Sequence, residues 1–280
     1  MKMRFLLFCI LFLFQFNVFA ALTFGVHPFV SKLDLESKFD PLLTYLSEHI
    51  DEPITLNIAD DYDDHIVNVG LDKVDIAFVG PVSYVRMVKK YGKKPLLVKT
   101  EVNGESTFKG VIFSKKSSDI NTLEDIRGKT VAFGDINSTM SHIAPRFTLL
   151  QAGINTEDLE NYDFLGNHER VAFSVLLGQY DVGTIKQSIF NKYERQGLKL
   201  IAYTPAISNH IFVTSQHLAP EKVEKLRTLM LSLNENDKSL SILNKIKKSI
   251  TGVQSADDKD YDNLREILQT LLDSQIIRQF

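Results

Sequence analysis

The chain has 280 residues, of which 44% are hydrophobic and 24% are charged, and its formal net charge at pH 7 is −3. These values are typical of a soluble globular protein with one large or two smaller domains. The slight acidic excess, with no basic tract and no aromatic–basic stripe, argues against nucleic-acid binding. A bound anion must therefore be held by local groups, because the overall charge of the protein does not attract it.

The first twenty residues predict a secretory signal peptide. Lys2 and Arg4 give a short basic start, residues 5–14 are almost wholly apolar, and residues 18–21 offer the small-residue exit of a cleavage site after Ala20. An uncleaved membrane anchor is the alternative, but this apolar run is short for the roughly 20 residues that span a bilayer. The expected location of the mature protein is a bacterial periplasm.

Cys9 is the only cysteine, and it lies within the predicted signal peptide. The residues before it, "LLF", lack the small side chains that normally precede a lipidated cysteine. A mature protein without Cys9 has no thiol, which excludes disulfides and thiolate chemistry and favours a sizeable hydrophobic core. Removal of the signal peptide leaves 30 basic and 35 acidic residues, a formal net charge of −5.

Predicted strands and helices alternate along the chain in two successive rounds. The first round consists of strand 21–26, helix 37–50, strand 54–59, helix 61–73, strand 74–80, helix 81–91, strand 94–101 and strand 109–115. The second round consists of helix 122–128, strand 129–134, helix 141–153, strand 162–166, helix 168–179, strand 180–185, helix 187–197 and strand 198–204. Three mostly helical segments are predicted to complete the chain.

This alternation predicts an α/β fold in which mostly parallel sheets carry helices on both faces. Two rounds joined by extended segments near 102–112 and 203–213 predict two lobes, two crossings and a cleft between the lobes. The predicted division is 1–20 for the signal peptide, 21–106 with 208–280 for lobe one, and 107–207 for lobe two. Ligands of such sheets bind beyond the carboxyl ends of the strands, at the starts of the following helices.

The stretch "GDINSTMSH" (134–142) is the first candidate loop. It follows a predicted strand and offers the hydroxyls of Ser138, Thr139 and Ser141 where a helix begins. Free backbone N–H groups and the positive end of the helix dipole favour an anion there. Ordinary helix capping is the alternative, but capping requires one hydroxyl and this loop has three in four positions.

A second loop, in "VDIAFVGPVSY" (74–84), has a similar arrangement. Gly80 lets a ligand approach the backbone closely, and Ser83 and Tyr84 open the next predicted helix. The Ser83 hydroxyl and the N–H groups of both residues could face the first loop across the cleft. A well-formed strand-to-helix turn is the alternative, and it accounts for the glycine and the following proline.

Four further residues are candidates because of their positions beside predicted strands. His168 follows a strand and could donate a hydrogen bond to an oxyanion, with a full charge below about pH 6.5; a structural histidine is the alternative. His27 and Phe29 occupy the matching loop of lobe one. Asp181 is interpreted as ending a strand, where it could orient donors or bind an amine, and a turn aspartate is the alternative.

The chain lacks the motifs of common enzymes and nucleotide-binding proteins. It contains no G-x-S-x-G, no G-x-x-x-x-G-K-[ST], no G-x-G-x-x-G and no H-E-x-x-H. Its histidines show no metal-ligand spacing, and no nucleophile–base pair can be named. The sequence therefore predicts neither an enzyme nor a protein with a cofactor or a metal.

Several segments together resemble the periplasmic phosphate/phosphite/phosphonate-binding proteins of ABC importers, the PhnD-like family. The matching segments lie in order at 72–85, 123–145, 168–185 and 204–213. This resemblance implies the type II periplasmic binding protein fold, with two lobes and a ligand cleft between them.

The resemblance also implies which residues contact the ligand. The serine/threonine loop of the family, which grips the phosphorus-oxyanion end of the ligand, falls on Ser138, Thr139 and Ser141. Its strand-to-helix turn with an aromatic residue falls on Ser83 and Tyr84.

The histidine that follows a lobe-two strand in this family falls on His168. The chain departs from the family pattern at Met140, which stands within the hydroxyl cluster, and at His27. Phosphonate binders usually place acidic residues against the amine of the ligand, whereas this chain has Gln187 and Ser188 where such an acid is expected. A simple phosphorus oxyanion or another small anion is therefore a better expectation than an aminophosphonate.

Capture of a small anion for an ABC importer is thus the expected function. The expected partners are the anionic ligand and a membrane permease, and a monomer is expected. The alternative is a ligand-sensing role, in which the protein presents its liganded state to a membrane histidine kinase or a cyclic-dinucleotide signalling protein.

Overall fold

The computed structural model describes residues 21–278, so the predicted signal peptide lies outside the described residues. The strands are β1 Leu22–Val26, β2 Ile54–Ile58, β3 Ile76–Val79, β4 Leu96–Val102, β5 Thr107–Phe108, β6 Gly110–Lys115, β7 Thr130–Phe133, β8 Asn161–Phe164, β9 Val182–Lys186, β10 Leu198–Tyr203, β11 Ile207–Ser208, β12 Ile211–Thr214 and β13 Ile250–Ser255. The α-helices are α1 Lys32–Ile50, α2 Tyr62–Gly70, α3 Pro81–Tyr91, α4 Ala144–Gln151, α5 His168–Leu176, α6 Gln187–Tyr193, α7 Pro220–Ser232, α8 Asp237–Ile246 and α9 Asp262–Asp273.

Two separate sheets form the centres of two lobes. The six-stranded sheet of lobe one has the order β13-β4-β12-β3-β1-β2, and the five-stranded sheet of lobe two has the order β10-β6-β9-β7-β8. Strands β1, β2 and β3 are parallel, as are β7, β8 and β9. Strand β6, the first strand of the sheet after the first crossing, runs antiparallel to β9. Strand β12, the first after the second crossing, runs antiparallel to β3. The predicted two-lobe α/β fold with mostly parallel sheets is confirmed.

The two crossings between the lobes lie side by side. Strand β5 in the first crossing pairs antiparallel with β11 in the second, with Phe108 opposite Ile207 and Thr107 opposite Ser208. The hydroxyl of Tyr261 also donates to the backbone oxygen of Asn209 at 2.7 Å. The chain segments between the sheets are therefore held together by backbone pairing.

Helix α1 shows why the sequence pattern places helices against the sheets. Its residues Leu35, Phe39, Leu42 and Leu46 recur at helical spacing and are fully buried. The helix begins five residues before its predicted start because the hydroxyl of Ser31 caps it by accepting from the N–H of Asp34 at 3.2 Å.

Apolar residues fill both faces of each sheet. In lobe one, α1, α7 and α8 cover one face, and α2, α3 and α9 cover the other. The second of these clusters extends into lobe two, because Met140, Ile143 and Ala144 pack into it together with Tyr261 and Leu264. The two lobes thus share an apolar contact beside the cleft.

The structure differs from the sequence prediction at several strands, among them β13 and β9. Strand β13 lies between α8 and α9, where mostly helical segments were predicted, and it pairs with β4 at the edge of the sheet. Its sequence "ITGVQS" is short and mixed in polarity, which gives a weak strand signal. Strand β9 begins after Asp181 and extends to Lys186, so it is shifted relative to the predicted strand 180–185.

Within residues 21–278, no helix is both long enough and apolar enough to cross a bilayer.

The burial of α1 leads to a prediction about stability. The fully buried ring of Phe39 lies 5.5 Å from the ring of Phe24 and 5.6 Å from that of Phe78, centre to centre. We expect Phe39→Ala to lower the free energy of unfolding by about 3–5 kcal/mol, because it leaves a cavity in the core. Leu33, in the same helix, is 76% exposed. We therefore expect Leu33→Ala to change the free energy of unfolding by less than about 0.5 kcal/mol. Urea unfolding followed by circular dichroism measures both, and equal effects would contradict the assigned buried face.

Candidate functional site

The loop 134–142 follows β7, and we call it the hydroxyl loop. Two of its three predicted ligand groups, Ser138 and Ser141, form hydrogen bonds within their own lobe. Ser138 caps the π-helical turn Thr139–Ile143, since its hydroxyl oxygen accepts from the N–H of Ser141 at 3.1 Å. The Ser141 hydroxyl accepts from the N–H of Gly134 at 2.8 Å and donates to the backbone oxygen of Thr184. Ser141 is therefore a structural residue in this arrangement, and capping accounts for part of the role of Ser138.

A donor of the hydroxyl loop nevertheless remains open to a ligand. A serine hydroxyl has one donor and two acceptor positions. Among residues 21–278, no group accepts the proton of the Ser138 hydroxyl, and this residue is 8% exposed. Ser138 can thus cap the turn and donate to an anion at the same time.

Thr139 brings the two predicted loops together across the lobes. Its hydroxyl oxygen accepts from the N–H of Val82, in the first turn of α3, at 3.2 Å. A second contact lies nearby, where Arg86 donates to the side-chain oxygen of Asn137 and pairs with Asp63 at 3.6 Å. The hydroxyl loop of lobe two therefore meets the N-terminus of α3 in lobe one, as the sequence predicts.

Ser83 is a buried residue whose hydroxyl is free to bind a ligand. It is 1% exposed, and its hydroxyl oxygen has no hydrogen-bond partner within the described chain. A buried hydroxyl without a partner costs about 1–3 kcal/mol. Its position in the first turn of α3, next to Val82, places it where the helix dipole favours an anion.

Tyr84 does not take the predicted role. Its N–H donates to the backbone oxygen of Gly80 at 2.8 Å, which is an ordinary helical bond. Its hydroxyl donates to Asp258 at 2.9 Å, and its ring packs 4.8 Å from that of Tyr261. The side chain is fully buried in lobe one because most of its surface is apolar, so it anchors α3 and offers nothing to a ligand.

Gly80 lies beside a group of aromatic side chains that includes His27. A β-carbon at position 80 would lie 3.8 Å from Nε2 of His210 and 4.0 Å from Cε1 of His27. The rings of His27 and His210 are 6.1 Å apart, and Phe29 lies 5.2 Å from His27. The Nδ1 atom of His27 is buried without a hydrogen-bond partner within residues 21–278.

His168 begins α5 and faces the end of β9. Its Nδ1 atom accepts from the N–H of Lys186 at 3.3 Å, which leaves the proton of the neutral ring on Nε2. Burial, followed by the nearby Lys186 and Lys247, lowers the pKa of His168 to about 3. The expectation of a full charge below pH 6.5 is therefore wrong, whereas a neutral Nε2–H donor is available.

Asp181 lies at the wrong end of its strand for the predicted role. Its carboxylate accepts from the N–H and the hydroxyl of Thr130 at 3.0 and 2.8 Å, respectively. Thr130 begins β7, and β7 and β9 are parallel, so Asp181 lies at the amino edge of the sheet, opposite the hydroxyl loop. The turn-aspartate alternative is correct, because the residue precedes the strand instead of ending it.

Three basic residues that the sequence analysis did not identify complete the site. Lys186 is the last residue of β9, His210 directly precedes β12, and Lys247 follows α8. We call these three residues, with His27 and His168, the basic cluster. The rule that ligands meet the carboxyl ends of strands would have found Lys186, but no local signal in the sequence marks Lys247.

The members of the basic cluster lie close enough to influence one another. Burial and then Lys247 lower the pKa of Lys186 to about 7. Burial, Lys186, His27, Lys247 and His168, in that order, lower the pKa of His210 well below its usual range. Burial is also the main cause of the lowered pKa of His27, followed by His65 and Lys186. The histidines are therefore neutral near pH 7.

Comparison with known proteins agrees with this fold. Residues 24–261 match the profile of a family described as "ABC transporter, phosphonate, periplasmic substrate-binding protein". The chain is 26% identical over 272 residues to the "Phosphate-import protein PhnD" of Mycolicibacterium smegmatis, covering 88% of this chain and 84% of that protein. It is 24% identical over 237 residues to the "Phosphonates-binding periplasmic protein" of Escherichia coli, covering 81% and 70%, respectively.

A similar fold occurs in the structure of PhnD1 from Prochlorococcus marinus in complex with methylphosphonate. The TM-score is 0.79 at 20% identity, and the match covers 90% of this chain and 98% of that one. The family match spans most of the sequence, including the hydroxyl loop, α3 and the end of β9. This chain therefore belongs to the family of periplasmic substrate-binding proteins of phosphonate ABC transporters.

Proposed function

We propose that this protein captures a small phosphorus oxyanion, of the phosphate, phosphite or phosphonate type, between its lobes and delivers it to an ABC importer. The observation that carries the proposal is a set of buried donors that meet between the lobes without acceptors of their own. Ser83 has no partner, the Ser138 proton has no acceptor within the described residues, and the basic cluster adds cations and a neutral imidazole donor.

In this proposal the ligand is held by groups from both lobes. Ser138, Thr139 and His168 act from lobe two, and Ser83 and the backbone beside Gly80 act from lobe one. Hydrogen bonds to charged groups contribute about 1.5–3 kcal/mol each. About five such bonds, after the costs of association and of closing the lobes, correspond to micromolar affinity or better.

The lobes are proposed to open and close at the paired crossings. Strands β5 and β11 are two residues each, and they hold the crossings together while leaving few backbone bonds to resist bending. The lobe boundaries proposed from this arrangement remain 21–106 with 208–280, and 107–207. The contact of Thr139 with Val82 belongs to the closed arrangement and would break on opening.

The importer role is favoured over the sensor role. The family is that of a transporter component, not of an enzyme, and the relatives described above are named for phosphate import and for phosphonate binding. A membrane permease is therefore the proposed partner, the periplasm the proposed location after signal-peptide cleavage, and a monomer the proposed state. Neighbouring genes for a permease and an ATPase would support this role, whereas a gene for a signalling protein would favour the sensor.

The unpartnered hydroxyl of Ser83 gives a sharp test. We expect Ser83→Ala to weaken anion binding at least tenfold, about 1.4 kcal/mol, because a hydrogen bond to the charged ligand is lost. The same change should not lower the melting temperature of the ligand-free protein, because the removed hydroxyl has no partner. Calorimetry with phosphate, phosphite and methylphosphonate on the mature protein measures the first effect, and thermal unfolding measures the second.

A matched control is Ser117→Ala, which removes an exposed serine hydroxyl from lobe two and should change neither quantity. A Ser83→Ala protein that is destabilised but binds normally would show that this hydroxyl is structural. If none of the three anions binds the wild-type protein at millimolar concentration, the proposed ligand class is wrong.

The hydroxyl loop gives a second prediction with a different signature. We expect Ser138→Ala combined with Thr139→Ala to weaken binding at least tenfold, since the Ser138 proton has no acceptor among the described residues and the Thr139 hydroxyl lies at the contact between the lobes. Loss of the Ser138 cap should also lower the free energy of unfolding by about 1 kcal/mol. Calorimetry and urea unfolding check the two effects, and unchanged affinity for an anion that binds the wild type would exclude this loop from the site.

A further inference from the structure

Asn137, the residue before the hydroxyls of the hydroxyl loop, binds lobe one through both ends of its side-chain amide. The amide oxygen accepts from the guanidinium of Arg86 in α3, and the amide nitrogen donates to the carboxylate of Asp63 in α2 at 3.4 Å. Arg86 and Asp63 also pair with each other at 3.6 Å. An amide of lobe two is thus held by an ion pair of lobe one, and we call these three residues the amide clasp.

The charges of the amide clasp match the polarity of the amide. Its oxygen faces the cation and its nitrogen faces the carboxylate, so both hydrogen bonds involve a charged group and are stronger than bonds between neutral groups. The side chain of Asp63 is 73% exposed, so its ion pair with Arg86 contributes little by itself. Asn137 is only 6% exposed, and its bond to Arg86 is therefore the main contact of the clasp.

The hydroxyl loop holds Asn137 in position independently of lobe one. The backbone N–H of Asn137 donates to the side chain of Asp135 at 2.7 Å, and the N–H of Ser138 donates to the backbone oxygen of Asp135 at 2.9 Å. These bonds lie within lobe two and persist when the lobes separate, whereas the clasp joins the lobes. Opening therefore breaks the clasp without unfolding the loop that carries it.

The amide clasp lies beside the groups proposed to bind the anion and is not one of them. The amide oxygen of Asn137 is an acceptor that Arg86 already uses, and the amide nitrogen faces the carboxylate of Asp63, which repels an anion. The hydroxyls of Ser83 and Ser138, by contrast, have donors without acceptors among the described residues. The clasp therefore acts on the lobes and not on the ligand.

We propose that Asn137 and Arg86 are positioning residues that raise the affinity for the anion by stabilising the closed arrangement of the lobes. This inference rests on the proposed function, in which an anion is captured between the lobes. The apparent dissociation constant is the intrinsic one divided by the fraction of protein in the binding-competent state. A residue that stabilises only that state tightens the binding of every ligand by the same factor, and the choice among anions belongs to the groups that contact them.

Single substitutions test this role by comparing several anions. We expect Asn137→Ala and Arg86→Met each to weaken binding at least fivefold, by the same factor for phosphate, phosphite and methylphosphonate, and to leave the melting temperature of the ligand-free protein unchanged. Asn191→Ala and Arg195→Met are the matched controls, because both residues are exposed on lobe two, and they should bind as the wild type does. Calorimetry measures the affinities. Factors that differ among the anions would indicate direct contact with the ligand and overturn the positioning role.

A double-mutant cycle tests the contact between the two residues. If Arg86 acts through Asn137, the variant with both substitutions should bind no more weakly than the weaker of the two single variants, because the second substitution removes a contact that is already lost. Losses that multiply would show that the two residues act separately, and the amide clasp would then be wrong.

The distance between the lobes gives a measurement that does not require a ligand. Spin labels on Lys73→Cys and Gln151→Cys mark exposed positions of lobe one and lobe two, respectively, in the protein from residue 21 onward, which has no cysteine of its own. We expect Asn137→Ala to reduce the population at the distance of the closed arrangement, and Asn191→Ala to leave it unchanged. Double electron–electron resonance on the ligand-free protein measures both.

The outcomes separate this inference from the proposed function. If the clasp variants bind as the wild type does while Ser83→Ala weakens binding, the anion site stands and the amide clasp is wrong. If the wild type binds none of the three anions, the proposed function fails, and an unchanged distance distribution in Asn137→Ala then overturns the clasp as well. If the clasp variants lower the melting temperature as much as a core substitution does, their role is structural and the inference is wrong.

Discussion

The central physical constraint of this structure is that buried hydrogen-bond donors beside the cleft have no acceptor among the described residues. Among the described residues, the buried lysines are satisfied internally, as the pairs of Lys94 with Asp72 and of Lys99 with Asp260 show. Beside the cleft the fold leaves the Ser83 hydroxyl and Nδ1 of His27 without a hydrogen-bond partner within the described residues. An arrangement of this kind costs stability in the absence of ligand, and that cost is recovered when an anion enters.

The topology of the sheets explains why these groups meet. The strands that carry the site loops end at the same edge of each sheet, and the two edges face each other because the chain crosses between the lobes through the paired strands β5 and β11. The crossings also carry Phe108, whose ring lies 5.8 Å from that of His210 directly after the second crossing, so the segment proposed to bend contributes side chains beside the proposed site. In the proposed function, closing the lobes would therefore also complete the site.

The apolar contact between the lobes gives Met140 a role that its chemistry alone does not suggest. Met140 interrupts the hydroxyls of the loop and looks out of place in a polar site. In the structure it is fully buried and packs with Ile143 against residues of lobe one. The loop therefore alternates between groups that face the ligand or cap the turn and groups that attach lobe two to lobe one.

The sequence by itself determined the alternation of strands and helices, the two lobes, and the two loops that meet across the cleft, because periodicity, glycine, proline and hydroxyl clusters act within a few residues of each other. It could not assign the roles of individual polar groups. Whether Ser141 binds a ligand or a backbone oxygen, and whether Asp181 precedes or ends its strand, depends on the register of β7 and β9. Lys186, His210 and Lys247 come from three distant segments, and only the tertiary structure brings them close enough to influence one another.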